Sequence, residues 1–514
     1  MRLSLFCFLG VAAMFAACST VSATDDDDDT ITLNGSGKKV LSSNSKNGGK
    51  SSSSQSTEIL DEDCVGESGE PWDGTTAKNF ACGSGSKLSP YIILTAEQLA
   101  HLSFVVNSSD KAFSGKYFKL GADILLNKGK VIDEKGGFVA DSAKLHKWTP
   151  IGNSSVAFDG NFDGDGHSIS GMFINTTSSH NGLFGNSQGT VQNVTVENSW
   201  VYGGKYTAGV VGYNRGSLKN ISNYASITSL NGPVGGIVGG TEDSYGNVNL
   251  LDSLYNFGMI KGKTDVGGVL GFIDRIKLSH AKNYGLIEGE KYTGGIWGGA
   301  HSTTVEAAYL VNYGKIIGQI NVGGIAGYCG HYGLGSKYSA KCGTIKNLRN
   351  EGLVQGETYV GGIAGSFGGN ASSISNTASI LGINYIGGLF GNADFSTTNL
   401  IYNTGNISGS QNVGGIIGYN QEGVTNSAYS TGKVDGDSLV GLMIGYNYNT
   451  TMADYYYLKR GKQEPFGLNN GGGVATPKTE DEMKSKDFAK LLGDEFVYDS
   501  GLNDGYPVLS WEKE

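Results

Sequence analysis

Residues 283–298 read Asn283-Tyr284-Gly285-Leu286-Ile287-Glu288-Gly289-Glu290-Lys291-Tyr292-Thr293-Gly294-Gly295-Ile296-Trp297-Gly298. From Asn283 through Gly285 and Ile287 to Gly289 the marked residues stand two apart. That is the period of a strand whose alternate side chains share a face. The frame recurs. Its Asn stands at Asn256, Asn283, Asn312, Asn350, Asn376 and Asn403. Two places on comes Gly258, Gly285, Gly314, Gly352, Ala378 or Gly405. Next comes Ile260, Ile287, Ile316, Val354, Ile380 or Ile407, and then Gly262, Gly289, Gly318, Gly356, Gly382 or Gly409. Each copy closes on a small-apolar tract, the last glycines being Gly185, Gly212, Gly239, Gly271, Gly298, Gly327, Gly365, Gly391, Gly418 and Gly445.

Neighbouring closing glycines lie about 27 residues apart in six of nine intervals, and the longer intervals, before Gly271, Gly327 and Gly365, carry insertions. Self-similarity at this period marks a solenoid or array. No 3.6-residue period runs through the array, which excludes helical repeats, and a propeller blade needs about 40 residues. The expectation is all-β: a single-stranded parallel β-helix of about ten coils, each with three short strands and Gly-rich corners, and short capping helices at both ends. Coils stacked at ~4.8 Å give a rod of roughly 50 Å. The β-branched residues pile into inward ladders. The recurring Asn forms a ladder at a corner, each amide bonding the next and satisfying turn backbone. Gly serves where φ is positive or where coils approach closely.

Composition agrees. Gly is 83 of 514 residues and Pro only 7, while charged residues are 17%, below the usual share of roughly 25%. A net charge of −10 argues against nucleic acid, which calls for a basic face.

The segments Trp148-Thr149-Pro150-Ile151-Gly152, Phe158-Asp159-Gly160-Asn161-Phe162-Asp163-Gly164-Asp165-Gly166-His167-Ser168-Ile169-Ser170-Gly171 and Gly182-Leu183-Phe184-Gly185 together resemble the opening of GLUG-motif repeat proteins. The resemblance runs over roughly residues 90–445. It implies a bacterial surface or secreted, adhesin-like β-helical array, and it implies no catalytic residue.

The ends are read separately. Arg2 and the apolar run 3–17 suit a signal peptide and are too short for a comfortable span. Ala16-Ala17-Cys18 resembles a lipobox, with Cys18 the lipidated residue; cleavage after Val21-Ser22-Ala23 is the alternative. Residues 18–60 are acidic and Ser-rich, and read as a disordered tether. Residues 61–147 hold an N-terminal cap and first coils, 148–446 the repeats, and 447–514 a C-terminal cap. Thr95-Ala96-Glu97-Gln98 and Thr479-Glu480-Asp481-Glu482 each read as a capping box. The second opens a helix with Met483, Phe488, Leu491 and Leu492 that closes at Gly493, and Tyr455 to Tyr457 plug the end.

Beyond Cys7 and Cys18, four cysteines remain. Local pairing joins Cys64 to Cys82 and Cys329 to Cys342, as suits an exported chain. Zinc is disfavoured, since C-x-x-C spacing and paired His are lacking.

The chemistry is sparse. Asp159, Asn161, Asp163 and Asp165 alternate like a calcium loop but lack the later bidentate Glu, and a Gly-rich turn is the preferred reading, with His167 in a hydrogen-bonding role. Neither metal nor cofactor is expected. Tyr224, Tyr255, Tyr284, Tyr313, Tyr402 and Tyr429 sit beside the Asn ladder, and Tyr206, Tyr292, Tyr359 and Tyr385 precede the Gly pairs. Such rows either stack on sugar rings or simply cover the surface. The loop between Cys329 and Cys342 carries His331, Tyr332 and Tyr338, and loops on rigid scaffolds often carry function. The expectation is a monomeric, non-enzymatic surface protein for adhesion or binding. Its expected partner is polysaccharide or another cell surface, with membrane contact only through the lipid anchor. The alternative is a polysaccharide lyase or glycosidase, which calls for stacked acidic and basic residues on neighbouring coils. Arg275-Ile276-Lys277 and Gly330-His331-Tyr332 are only fragments of such motifs.

Overall fold

The computed structural model describes Cys64 and residues 69–109, 111–241, 248–300, 304–330 and 342–513. The signal segment, Cys18, the tether, and His331, Tyr332 and Tyr338 lie outside these residues.

One coil represents the rest. Strand β1 (Ile276–Asn283) is followed by β2 (Ile287–Glu288), β3 (Lys291–Gly294) and β4 (Trp297–Ala300). Each pairs in parallel with its counterparts one coil away, giving sheets of 16, 10, 9 and 11 strands. A coil therefore has four strands rather than the expected three, because Gly289 bends the chain between β2 and β3 where a continuous run was expected. The solenoid has about 13 turns, not ten. The additional coils come from segments without the full repeat, such as Tyr117–Leu120 and Asn161–Asp163, which pair in register with the long sheet.

Period-two alternation fills the interior. Ile260, Ile287, Ile316, Val354, Ile380 and Ile407 form one aliphatic ladder, and Ile296, Ile325, Ile363, Leu389 and Ile416 another, all almost completely buried. Each such burial contributes about 1.5–3 kcal/mol. Midway along β1 the alternation steps at His280, whose φ is 53°. The same left-handed step recurs at Ser253, Tyr309, Asn347, Ser373 and Leu400. Side chains on either side of it keep their inward phase, and the stepped residue points out.

Among the described residues the recurring corner and closing glycines from Gly185 to Gly445 are absent from the left-handed region, which Gly152, Gly166 and Gly171 of the opening segments do adopt. In the coils positive φ is taken mostly by Asn, Ser, His and Tyr, and also by Leu400 and Asp265. The glycines serve close approach: a Cβ on Gly314 would overlap the carbonyl of Gly285.

Helix α1 (Ala96–Ser108) is capped by Thr95, whose Oγ1 accepts from Gln98 N at 3.3 Å. Gln98 Oε1 accepts from Leu94 N at 2.7 Å, so the reciprocal half of the box goes one residue upstream. Leu99, Leu102 and Val106 pack into the main core. At the other end the expected single helix is two, α2 (Glu480–Met483) and α3 (Lys486–Leu492). Ser485 interrupts them by capping α3, and the Thr479–Glu482 box forms. Met483, Phe488 and Leu492 are buried while Leu491 is exposed. These helices pack on the outer face of the long sheet, in a second core with Tyr402, Tyr429 and Tyr456. Strand alternation turns Tyr455 and Tyr457 into the main core and Tyr456 outward.

Cys64 pairs with Cys82 and Cys329 with Cys342, at Cα separations of 4.9 and 5.3 Å.

Candidate functional site

The recurring asparagines form one continuous inward ladder. Asn223 Nδ2 donates to Asn256 Oδ1 at 2.9 Å, Asn256 to Asn283 and Asn283 to Asn312 at 2.8 Å each. The ladder runs on through Asn350 and Asn376 to Asn403. Each Nδ2 also donates to the carbonyl two residues ahead, as from Asn283 to Gly285 O at 3.0 Å. The ladder thereby satisfies the corner backbone and fixes the rotation of every coil about the axis.

That registration sets the residue after each Asn. Tyr224, Phe257, Tyr284 and Tyr313 follow Asn223, Asn256, Asn283 and Asn312, and all four rings are roughly 40% exposed. They lie face to face. Centroids are 4.4, 4.8 and 4.8 Å apart and interplanar angles 3°, 1° and 10°. The spacing is that of the strands beneath. Stacking consumes the inner ring faces, so the row offers solvent its edges. Of the two readings of these rows, face stacking of sugars is therefore blocked along this row except at the two ends, and the rings instead pack on one another along the ladder. Ring edges carry the positive side of the aromatic quadrupole. Burial raises the pKa of Tyr284 and Tyr313, so their hydroxyls stay protonated and able to donate. Tyr224 N donates to Val196 O at 2.8 Å, next to Glu197, and Glu351 lies within electrostatic range of Tyr313.

The other tyrosines separate by one residue of sequence. Tyr255, Tyr402 and Tyr429 precede the Asn position or its equivalent Ser430 and form a different row. Tyr402 and Tyr429 stack at 5.0 Å but are completely buried under α2 and α3. Tyr292, Tyr359 and Tyr385 occupy left-handed positions on the third strand, and Tyr359 stacks on Tyr385 at 4.8 Å. Phe257 belongs to this row although the tyrosine pattern does not include it; the place after the recurring Asn is what marks the row. Next to the exposed row, His280 stacks on Tyr309 at 5.0 Å and contacts Asp252 Oδ1 at 2.9 Å.

The first-coil acidic turn is occupied by its own protein partners. Asp163 accepts from Asp165 N, Asn193 Nδ2 and Gln192 Nε2 at 2.8, 2.9 and 2.7 Å. Asp165 pairs with Lys119 at 2.9 Å, and His167 Nδ1 lies 3.3 Å from Asp123. Among the described residues no three His, Cys, Asp or Glu side chains converge as a metal site. Arg275-Ile276-Lys277 places Lys277 near Glu306 at 3.6 Å, both largely exposed.

No known protein family's profile matches the chain. Over 176 residues, 33% of the chain, it is 34% identical to Halomucin of Haloquadratum walsbyi, spanning 2% of that protein. Over 149 residues, 28% of the chain, it is 35% identical to a "Putative Gly-rich membrane protein" of Evansella cellulosilytica, spanning 15% of it. A solved chain described as a "putative immunoglobulin A1 protease" from Bacteroides ovatus aligns at 17% identity and a TM-score of 0.26, covering 84% of this chain and 95% of that one. A score that low carries no argument.

Proposed function

We propose that this is an exported surface repeat protein of GLUG type that binds a neutral, hydroxyl-rich polymer, a polysaccharide of a cell surface, along the edge of the Tyr224–Phe257–Tyr284–Tyr313 row. The observation that carries the reading is that four large aromatic side chains remain exposed, in register, on a rigid face. Contiguous exposed apolar surface of this kind marks interaction sites. Ring edges and protonated hydroxyls repeating at the strand spacing favour oxygen-rich partners. Glu197 at the Tyr224 end disfavours polyanions, while the charge of Glu351 is met by Arg349. Many weak contacts along a repetitive face add by avidity. The names of the two relatives, a mucin and a membrane protein, agree with a surface location.

The role is binding rather than catalysis. On this face the carboxylates are engaged: Asp252 with His280 and Ser279, and Glu351 with Arg349 at 2.9 Å.

The test is a pull-down of the full chain on a panel of insoluble neutral glycans, with parallel assays for reducing sugar and unsaturated product. Retention that Tyr284→Ala lowers at least tenfold supports the reading. Absence of retention on the whole panel, or product formed at a rate set by one acidic cluster, overturns it.

A further inference from the structure

A second feature stands apart from the aromatic row and does not rest on it. Residues 127–147, between strand Ile124–Leu125 and the first full repeat, form a long excursion from the solenoid. It is pinned at several points. Asn127 Nδ2 donates to His146 O and Gly171 O at 2.9 and 2.8 Å, and Asn127 Oδ1 accepts from His146 N at 2.8 Å. Asn198 holds the excursion twice, accepting from Val131 N at 2.9 Å and donating to Gly129 O at 2.7 Å. Phe138 lies 4.8 Å from the Trp200 ring and 5.6 Å from that of Phe173. The loop is preorganised by these contacts.

Between this loop and Trp72 lies a depression of about 410 Å3, within the size range of small-ligand sites. Exposed His146 forms its aromatic wall, backed by Trp72, whose ring lies 5.7 Å away and is buried in the main core. Trp72 is held by its N–H to Leu125 O at 2.9 Å and by Nε1 to Thr75 O at 2.7 Å. Lys128, Lys130 and Lys144 line the depression beside it. Three acidic residues lie near them. Asp141 pairs with Lys144 at 3.2 Å. Asp133 lies within electrostatic range of Lys130 but already accepts from Lys135 N and Gly137 N, and Asp73, within range of His146, is already engaged by Thr75. The lining itself carries three lysines against one aspartate, in a chain whose charge is −10.

We propose that this pocket binds an acidic sugar residue, its carboxylate or sulfate received by Lys128, Lys130 and Lys144 and its ring set against His146. Charge alone would take any small anion. The aromatic wall adds a surface for the sugar's carbon skeleton, and the anchored loop lowers the ordering cost of binding.

The full chain is titrated by calorimetry with three disaccharides, one bearing glucuronate, one sulfated and one neutral, and with inorganic sulfate. Saturable binding of at least one acidic disaccharide is expected, tighter than of the neutral sugar or sulfate, and weakened by added salt. Lys128→Ala/Lys130→Ala is expected to weaken it at least tenfold, and Lys144→Ala or His146→Ala severalfold. Tyr284→Ala is expected to leave it unchanged, which separates this site from the aromatic row. The proposal is overturned if neither acidic sugar binds. It is equally overturned if sulfate alone binds as tightly, or if the double-lysine variant, with unchanged circular dichroism, binds as well as the native chain.

Discussion

The side-chain oxygen of Asn312 lies 2.5 Å from where a Cβ on Gly295 would stand. Gly268 faces Asn283 in the same way, and Gly324 faces Asn350. The second glycine of each Gly pair therefore leaves room for the amide ladder of the following coil. Gly295→Ala is expected to cost about 2–4 kcal/mol, from overpacking and a displaced amide bond. Urea unfolding measures it, and a loss under about 0.5 kcal/mol would contradict the packing described.

Asn312→Ala is expected to cost a similar ~2–4 kcal/mol. It strands Asn350 Oδ1 and removes one partner of Asn283 Nδ2, and an unmet buried polar group costs about 1–3 kcal/mol. The same substitution at exposed Asn370, outside the left-handed positions of the same sheet, should change stability by about 0.5 kcal/mol or less.

Asp265 sits at a left-handed position with Oδ1 unpaired among the described residues. Burial pushes its carboxyl pKa up to about 6. A raised pKa means that the neutral form suits the folded state. Its contribution is complete below pH 3.8 and is lost as pH rises through about 6. Asp265→Asn should remove that dependence and raise stability at pH 7.5 by about 1–3 kcal/mol. Asn321 and Asn412 already occupy this row in other coils with φ of 56° and 55°. Thermal melts of both proteins at pH 5 and 7.5 check it.

Glu512, almost fully buried, accepts from Tyr402 Oη at 2.7 Å and Leu509 N at 2.9 Å, and also from Ser375 Oγ. Burial raises its pKa, against the lowering effect of Ser375 and Arg349. The sign is that of Asp265: the C-terminal helices hold most firmly at acid pH and loosen as pH rises through the carboxyl's raised value. Amide exchange across residues 479–513 should show protection falling as pH rises above the ordinary carboxylate value of 4.5 in the native chain. Glu512→Gln should flatten that change, and equal slopes in the two proteins would refute the assignment.

In the aromatic row, Tyr284→Ala removes two stacked contacts and should cost about 1–2 kcal/mol. Tyr284→Phe should keep nearly all of that stability. If the hydroxyl edge does the binding, Tyr284→Phe should still weaken glycan retention severalfold; retention equal to native would assign the contact to ring edges alone.

The repeat, its phase and its ladders were legible because every signal involved is local and periodic. Asn283, Gly285, Ile287 and Gly289 specify strand, corner, inward residue and corner within seven residues. Gly289 marks the corner between β2 and β3, but the number of strands per coil was not legible, since a two-residue strand such as Ile287–Glu288 carries no period of its own. The left-handed steps at His280 and Tyr309 were missed for a different reason. His favours positive φ only weakly and Tyr does not, so the stacked coils impose it.

The amino-acid order by itself determined the coil, since a 27-residue period can bury its apolar residues only by stacking on copies of itself. Tertiary structure alone decided which tyrosines remain free. Tyr313 follows its Asn and stays open, while Tyr402 precedes its own and meets Glu512, 110 residues later. No local pattern encodes where a distant segment returns, because that choice is made by the fit of α2 and α3 against a face that exists only once the coils have stacked.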